Sequence, residues 1–514
     1  MAKPSMENRI DFNSILAFLP PLTTQLSGHL AWPNQQFIDA LKLVSQGPSL
    51  SQVNSGAQLF IIISQLRDSL PFSSDQDRLA TFTSNGFKRF FDKLLPKDIT
   101  MKWFGEVVPV MADLVLRLPS LLEMHYQNCD DIIPGVSTGL RLLEPQQPGI
   151  VFLNQELIAA LLSCSFFCLF PTVIVDRYAN LMQAFNMDRM FASVHDRYPE
   201  QENRIMCIIH YFERVCTSTP SNFVSFERKV LSLEQNPSVV SLPPPELWAN
   251  SAVPLCKFKV FSTGMIEDHP PGSLEVDFAD EYIGGLSLTD GCLQEEIRFM
   301  INPELIAAML FLPAMSANEA IEIVGAERFS NYKGYDASFQ YDGDHVDNKG
   351  IDSMGRRMSR VIAIDALRLG RGGAVQYKHK NLLREVNKAF CGFLDHSKHQ
   401  QQQVPDIDEG IVTGNWGCGV FGGDPEVKSI IQWVAASQAS RSFVSYYTFE
   451  LEKLRNLDQV VRWIVSRNWN VGEAWNKLSD YSSKRANGET KLGFFSYLIP
   501  SLQQDSGSSS NYSH

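Results

Sequence analysis

The stretch Glu275-Val-Asp-Phe-Ala-Asp-Glu-Tyr-Ile283 runs directly into Gly284-Gly285-Leu286; seven residues later, after Ser287 to Leu293, comes Gln294-Glu295-Glu296. The first part reads as a strand and the last as the opening turn of an amphipathic helix, so the segment predicts a strand–loop–helix unit. A glycine pair lets the backbone come close to a ligand because no Cβ stands in the way. Two carboxylates beside such a loop suit acid/base work on whatever the loop holds. Acids in a first helical turn also favour the positive end of the helix dipole for purely structural reasons. Spacing alone leaves both readings open.

Strand–helix alternation continues on either side. From about residue 222, β-type runs at 223–231, 256–261, 274–283, 320–324, 360–367 and 443–449 alternate with helical runs at 294–300, 303–310, 382–394 and 425–438. Asn302-Pro303-Glu304 and Asp424-Pro425 are strong helix starts, each a polar cap followed by proline in the first turn. This pattern predicts a three-layer α/β domain. Residues 1 to about 215 differ, with apolar residues at three-to-four spacing over 37–46, 58–70, 86–93, 104–118 and 155–169, and read as mostly helical. Residues 396–408, with four consecutive glutamines at 400–403, read as a low-complexity surface loop, and the Ser/Gly-rich tail 503–514 as disordered.

With 514 residues, 44% of them hydrophobic, the chain is long enough for a large catalytic unit with an appended helical part. A net charge of −12 argues against broad capture of nucleic acid, so no direct DNA binding is expected. A polyanion would have to be gripped in a defined pocket by backbone amides and local dipoles. Nine cysteines without a CxxC pair predict a reducing compartment, no disulfide framework and no zinc site. The N-terminus shows no apolar signal core and no convincing basic import cluster. Residues 157–175 are nineteen uncharged residues, the length of a membrane span, but Pro171 and interspersed Ser and Thr predict a buried core helix instead.

A second loop carries five glycines in twelve residues: Thr413-Gly-Asn-Trp-Gly-Cys-Gly-Val-Phe-Gly-Gly-Asp424. It feeds the helix at Pro425, a fitting cradle for a diphosphate. It is neither a P-loop nor a dinucleotide fingerprint. The plain alternative is a turn used for close packing. Trp416 and Phe421 follow no core periodicity and read as exposed-loop aromatics, which favours a ligand role.

Together the two loops resemble the poly(ADP-ribose) glycohydrolase family, in its plant branch. The resemblance rests on Gly284-Gly285 with the seven-residue spacer and Gln294-Glu295-Glu296, then Ile297-Arg298-Phe299 and Asn302-Pro303-Glu304-Leu305. It extends through Val324–Phe329, Gly334-Tyr335, Ala363–Ala366, Glu385–Ala389, the 413–424 loop and Tyr447-Thr448-Phe449. Residues 152–171 are similar to the family's long apolar helix.

The resemblance implies a macrodomain-like three-layer α/β/α catalytic domain over 221–500, a mostly helical accessory region over 1–220, and a disordered tail over 501–514. It implies hydrolysis of ribose–ribose O-glycosidic bonds in protein-attached poly(ADP-ribose), without metal or cofactor, in the DNA damage response, in nucleus and cytoplasm. By motif position Glu296 is the general acid and then the base. Glu295 and Asp277 orient ribose hydroxyls, and Gln294, Gly284, Gly285 and Asp280 lie beside the ligand. Asn415, Trp416, Gly417, Cys418, Gly419 and Val420 hold the diphosphate, with Phe421 against the distal ribose. Tyr335 closes over the ligand, Ile266 and Glu267 meet the adenine edge, and Phe449 meets its face.

Successive helical residues point about 100° apart, so Glu295 and Glu296 cannot flank one bond as a usual glycosidase pair does. One carries the proton and the other orients the sugar.

Three positions depart from the family pattern. Leu286 replaces a third glycine, which threatens a backbone needing positive φ. Asp280 replaces an asparagine and adds negative charge near a diphosphate. Glu450 replaces a frequent glycine. An ADP-ribose binder with weak or no hydrolysis is the alternative that Leu286 and Asp280 raise. For single residues plainer readings stand beside these: Tyr335 as a turn aromatic, Asp277 facing solvent, Cys418 as a small loop residue, and Arg356, Arg357 and Arg360 as a solvated face.

Overall fold

The computed structural model describes residues 6–72, 77–172, 178, 180–196, 198–234, 239–370, 373–395 and 409–503. The chain divides into two compact units. The first comprises 1–228, 282–314 and 323–358, and the second 229–281, 315–322 and 359–514.

The first unit is mainly helical. Long helices at Gln35–Ser45, Gly56–Asp68, Val108–Asn128, Gln155–Phe166 and Pro199–Thr217 carry its core. Among them is a cluster of stacked and edge-on rings, with Phe87 on Phe191 at 3.8 Å and Phe166 against Phe212 at 5.7 Å. Such pairs add to the stability of apolar burial.

The apolar run expected to be one long helix is a strand, Gly149–Asn154, followed by the twelve-residue helix Gln155–Phe166, every residue of which but Glu156 is buried. The Asn154 side chain accepts from the Leu157 N–H and fixes the helix start. The helix ends where Cys168 turns to φ +56°, so residues 152–171 are not one helix. Residues 173–175 of the run lie outside the described residues. Among the described residues no helix is long and apolar enough to cross a membrane. Strand 149–154 pairs antiparallel with residues 223–228, a pairing that its short apolar run, Ile150–Leu153, does not announce.

The second unit is built on five parallel strands in the order Arg360–Ala363, Leu274–Asp277, Ile411–Thr413, Phe443–Tyr447, Lys257–Phe261. Helices His379–Phe393 and Pro425–Gln438 share one apolar core with this sheet, centred on Ile362, Val386, Ile411, Trp433 and Val444. The α/β expectation holds. Three strands stop earlier than their patterns suggested, at Asp277, Ala363 and Tyr447. Registers Ala363↔Asp277, Thr413↔Tyr446 and Tyr447↔Phe261 align these ends. The loops after all five strands therefore leave from one edge, the carboxyl edge where parallel sheets place their ligands.

Residues 396–408 and 504–514 lie outside the described residues. At the start of the expected tail, Pro500–Gln503 forms a short 3-10 helix.

Candidate active site

The first unit contains the glycine pair and both acids. Gly284 and Gly285 adopt φ +85° and +50°, a conformation only glycine takes freely. Their turn brings the loop back over the helix Gln294–Ile301. The Gly284 N–H donates to Glu295 Oε1 at 2.7 Å. The Leu286 N–H donates to Glu296 Oε1 at 3.0 Å, and the Leu293 N–H to Glu296 Oε2 at 2.9 Å. Glu296, at the third helical position, thus turns back on its own N-cap residue, as in half of a capping box. Both its oxygens are oriented by backbone, and each retains a second lone pair for a proton or ligand. Glu295 and Glu296 are only 4% and 7% exposed.

Leu286 does not have positive φ, and its side chain is 52% exposed. The third glycine is therefore dispensable here: the position presents its amide inward and its side chain outward. Tyr335 is 53% exposed, and its hydroxyl lies within reach of the Gln294 backbone amide. Its backbone is pinned on both sides, by the Ser338 hydroxyl at its N–H and by the Asp336 N–H donating to the Cys292 carbonyl.

The second unit contains the glycine-rich loop and the remaining candidates. Asp277 closes its strand and is 1% exposed, so it does not face solvent. Asp280 forms an ion pair with Arg368, whose guanidinium also lies 4.8 Å from the Phe421 ring centroid. The extra negative charge is therefore locally neutralised.

In the loop, Asp424 caps the Pro425–Gln438 helix by accepting the Glu426 N–H at 3.1 Å. Among the described residues, the backbone amides of Gly417, Gly419, Val420 and Phe421 donate to no protein acceptor. Four open amides in a loop that feeds a helix N-terminus suit an anion cradle.

Trp416 corrects the exposed-aromatic reading. It is fully buried, donates from Nε1 to the Ile364 carbonyl at 2.8 Å, and carries the Lys428 ammonium 3.8 Å from its ring centroid. Lys428 pairs in turn with Glu385. The Asn415 side chain bridges the Thr448 carbonyl and the Tyr446 hydroxyl. Cys418 is partly buried, and burial raises its thiol pKa, which suits a loop residue and not a nucleophile.

Ile266, 2% exposed, packs with Val412 and Tyr447, and Glu267 follows it in a short 3-10 turn. Phe449 is 46% exposed, and it and Glu450 hold φ +51° and +54°. Glu450 thus takes the left-handed backbone that a glycine would adopt without strain.

The arginine trio is not a solvated face. Arg356 pairs with Asp352 and Arg357 with Glu327, while Arg360 is shared between Glu322 and Glu409. One acid–thiol group, Asp11, Cys129 and Asp130, has ligand atoms close enough for a metal. The Arg9 guanidinium fills that group, and burial pushes the Cys129 thiol up to about 12, so it offers poor ligands. Sequence reasoning missed Arg204, Arg368 and Lys428, whose partners Ser287, Asp280 and Glu385 are 43 to 88 residues away in the chain and leave no local signal.

Two family models match the chain. One described as the helical domain of poly(ADP-ribose) glycohydrolase covers residues 95–228, and one described as its macro domain fold covers 245–456. The chain is 48% identical to poly(ADP-ribose) glycohydrolase 1 of Arabidopsis thaliana, over 97% of this chain and 98% of that protein. It is 50% identical to probable poly(ADP-ribose) glycohydrolase 2 of the same plant, over 97% and 100%. It is 34% identical to poly(ADP-ribose) glycohydrolase 1 of Caenorhabditis elegans, over 46% of this chain and 30% of that protein.

Proposed function

The chain belongs to the poly(ADP-ribose) glycohydrolase family, in its plant-type branch, and from that premise we propose how its residues divide the work. It is a glycosidase that hydrolyses ribose–ribose O-glycosidic bonds of poly(ADP-ribose) and releases ADP-ribose. Glu296 gives its proton to the leaving ribose oxygen as the C1–O bond breaks. The sugar passes through an oxocarbenium-like state. Glu296, now a carboxylate, takes a proton from the water that attacks C1, which restores the starting form. Glu295 and Asp277 orient ribose hydroxyls, with Gln294, Gly284, Gly285 and Asp280 beside the ligand. The open amides of Gly417, Gly419, Val420 and Phe421 hold the diphosphate, Phe421 lies against the distal ribose, Tyr335 covers the ligand, and Ile266, Glu267 and Phe449 receive adenine.

The observation that carries this assignment is the double backbone anchoring of Glu296. A group that must give and take a proton at one fixed oxygen benefits from an orientation set before the substrate arrives. The binder reading loses its two motives, since Leu286 does not have positive φ and Asp280 is paired with Arg368.

The protein-attached polymer is the substrate, and the sites of action are the nucleus and cytoplasm, within the DNA damage response. Nine free thiols support a reducing compartment. The test is product identification from purified poly(ADP-ribose): free ADP-ribose as the main soluble product supports this function. Intact polymer that is bound but not shortened contradicts it.

A further inference from the structure

Arg204 sits on the helix Pro199–Thr217 of the first unit and is fully buried. A buried guanidinium is costly unless its donors are matched. Its partners here are not carboxylates. Nη1 donates to the Thr289 carbonyl at 2.8 Å and to Gln201 Oε1 at 2.6 Å. Nη2 donates to the Ser287 carbonyl at 2.6 Å and to the Leu286 carbonyl at 3.4 Å. Gln201 extends the same grip, because its Nε2 donates to the Asp290 carbonyl at 2.9 Å. Four carbonyls of the 286–290 segment therefore converge on one helix face.

The same segment also holds the acid. The backbone of Leu286 is gripped on both sides: its N–H is bonded to Glu296 Oε1, and its carbonyl is bonded to Arg204. A displacement of the loop would carry that amide, and with it the Glu296 carboxylate.

We propose that Arg204, assisted by Gln201, is a positioning residue for the hydrolysis, fixing the loop whose amide aims Glu296. The proposal rests on the assignment of Glu296 as acid and base. The guanidinium is suited to this because its planar fork offers donors in several directions at once. Lysine would keep the charge but gather its three donors on one nitrogen at the end of a flexible stem.

The experiment compares wild type, Arg204→Met, Arg204→Lys and Glu296→Gln for ADP-ribose release, ADP-ribose affinity and thermal unfolding. The expected result is a folded Arg204→Met protein that binds ADP-ribose as wild type does but loses roughly 10- to 100-fold in kcat, as misplacement of a catalytic group does. Arg204→Lys falls in the same direction, and added guanidinium ion restores part of the rate to Arg204→Met. If Arg204→Met does not fold, Arg204→Lys carries the same criterion. Wild-type kcat in the folded variants overturns the proposal. So does a loss that merely tracks the folded fraction or the ADP-ribose affinity. The Glu296→Gln arm separates the two claims: activity in that variant overturns the reading of Glu296 itself, whatever Arg204 does.

Discussion

At Gly285 a Cβ would stand 2.6 Å from Glu295 Oε2 and 2.6 Å from Glu296 Oε1, on a backbone at φ +50°. Any side chain there must displace one carboxylate or the other. Gly285→Ala is therefore expected to lower kcat by about 100-fold, the scale of a roughly 1 Å misplacement, with the fold retained by circular dichroism. Leu286 predicts the opposite. Its φ is not positive and its side chain points outward, so Leu286→Gly should leave kcat/KM nearly unchanged.

The Asp280–Arg368 pair gives a coupled prediction. Arg368→Ala exposes the Asp280 carboxylate close to Phe421 and the anion-binding loop. Repulsion of about 1 kcal/mol would weaken ADP-ribose binding roughly fivefold. Adding Asp280→Asn should recover most of that loss, and calorimetric titration of the two single variants and the double variant checks the cycle.

Secondary-structure elements show where sequence was informative and where it was not. The Pro425 helix and the Gln294 helix were legible because their start signals are local: a capping Asp424, a proline in the first turn, acids at the amino end. Strand Gly149–Asn154 was not, because its apolar run is only the four residues Ile150–Leu153, and periodicity alone cannot tell so short a run from part of a buried helix. Strand Ile411–Thr413, fully buried and only three residues long, follows the glutamine-rich segment and offers no pattern to detect. The two site loops could be read from glycine and acid spacing. The charges that brace them could not, since Arg204, Arg368 and Lys428 find their partners only through the fold.

The 3-10 element Pro303–Leu310 carries a titratable example. Glu304 is fully buried, accepts from Gln155 Nε2 and from the Glu327 N–H, each at 2.8 Å, and burial raises its carboxyl from 4.5 to about 8. The folded state therefore holds a proton there that the unfolded chain releases. Its stabilising contribution is fully present below about pH 4.5 and is lost as pH rises through about 8. Wild type should thus lose stability across that interval relative to Glu304→Gln, by up to about 1.4 kcal/mol per pH unit. Denaturant midpoints of the two proteins measured at several pH values test the slope, whichever protein is more stable at the outset.

For the molecule as a whole, a net charge of −12 accompanies a polyanionic substrate. Recognition as proposed, by a few backbone amides of the 413–424 loop, differs from recognition by a basic stripe. Proteins that neutralise many phosphates lose several orders of magnitude in affinity between about 50 and 200 mM salt. Here kcat/KM for poly(ADP-ribose) should change by less than about 10-fold over that range, because long-range repulsion is screened while the amide contacts persist. A steep fall would point to a polymer-binding surface outside the two loops.

The central claim is that Glu296 transfers the proton in a preorganised backbone cradle. Its most direct measurement is ADP-ribose release from poly(ADP-ribose) by wild type and by Glu296→Gln, with ADP-ribose affinity determined for both. Wild type is expected to cut, and the variant to bind ADP-ribose comparably without cutting. Equal cleavage by the two proteins, or binding by both with cleavage by neither, would contradict it.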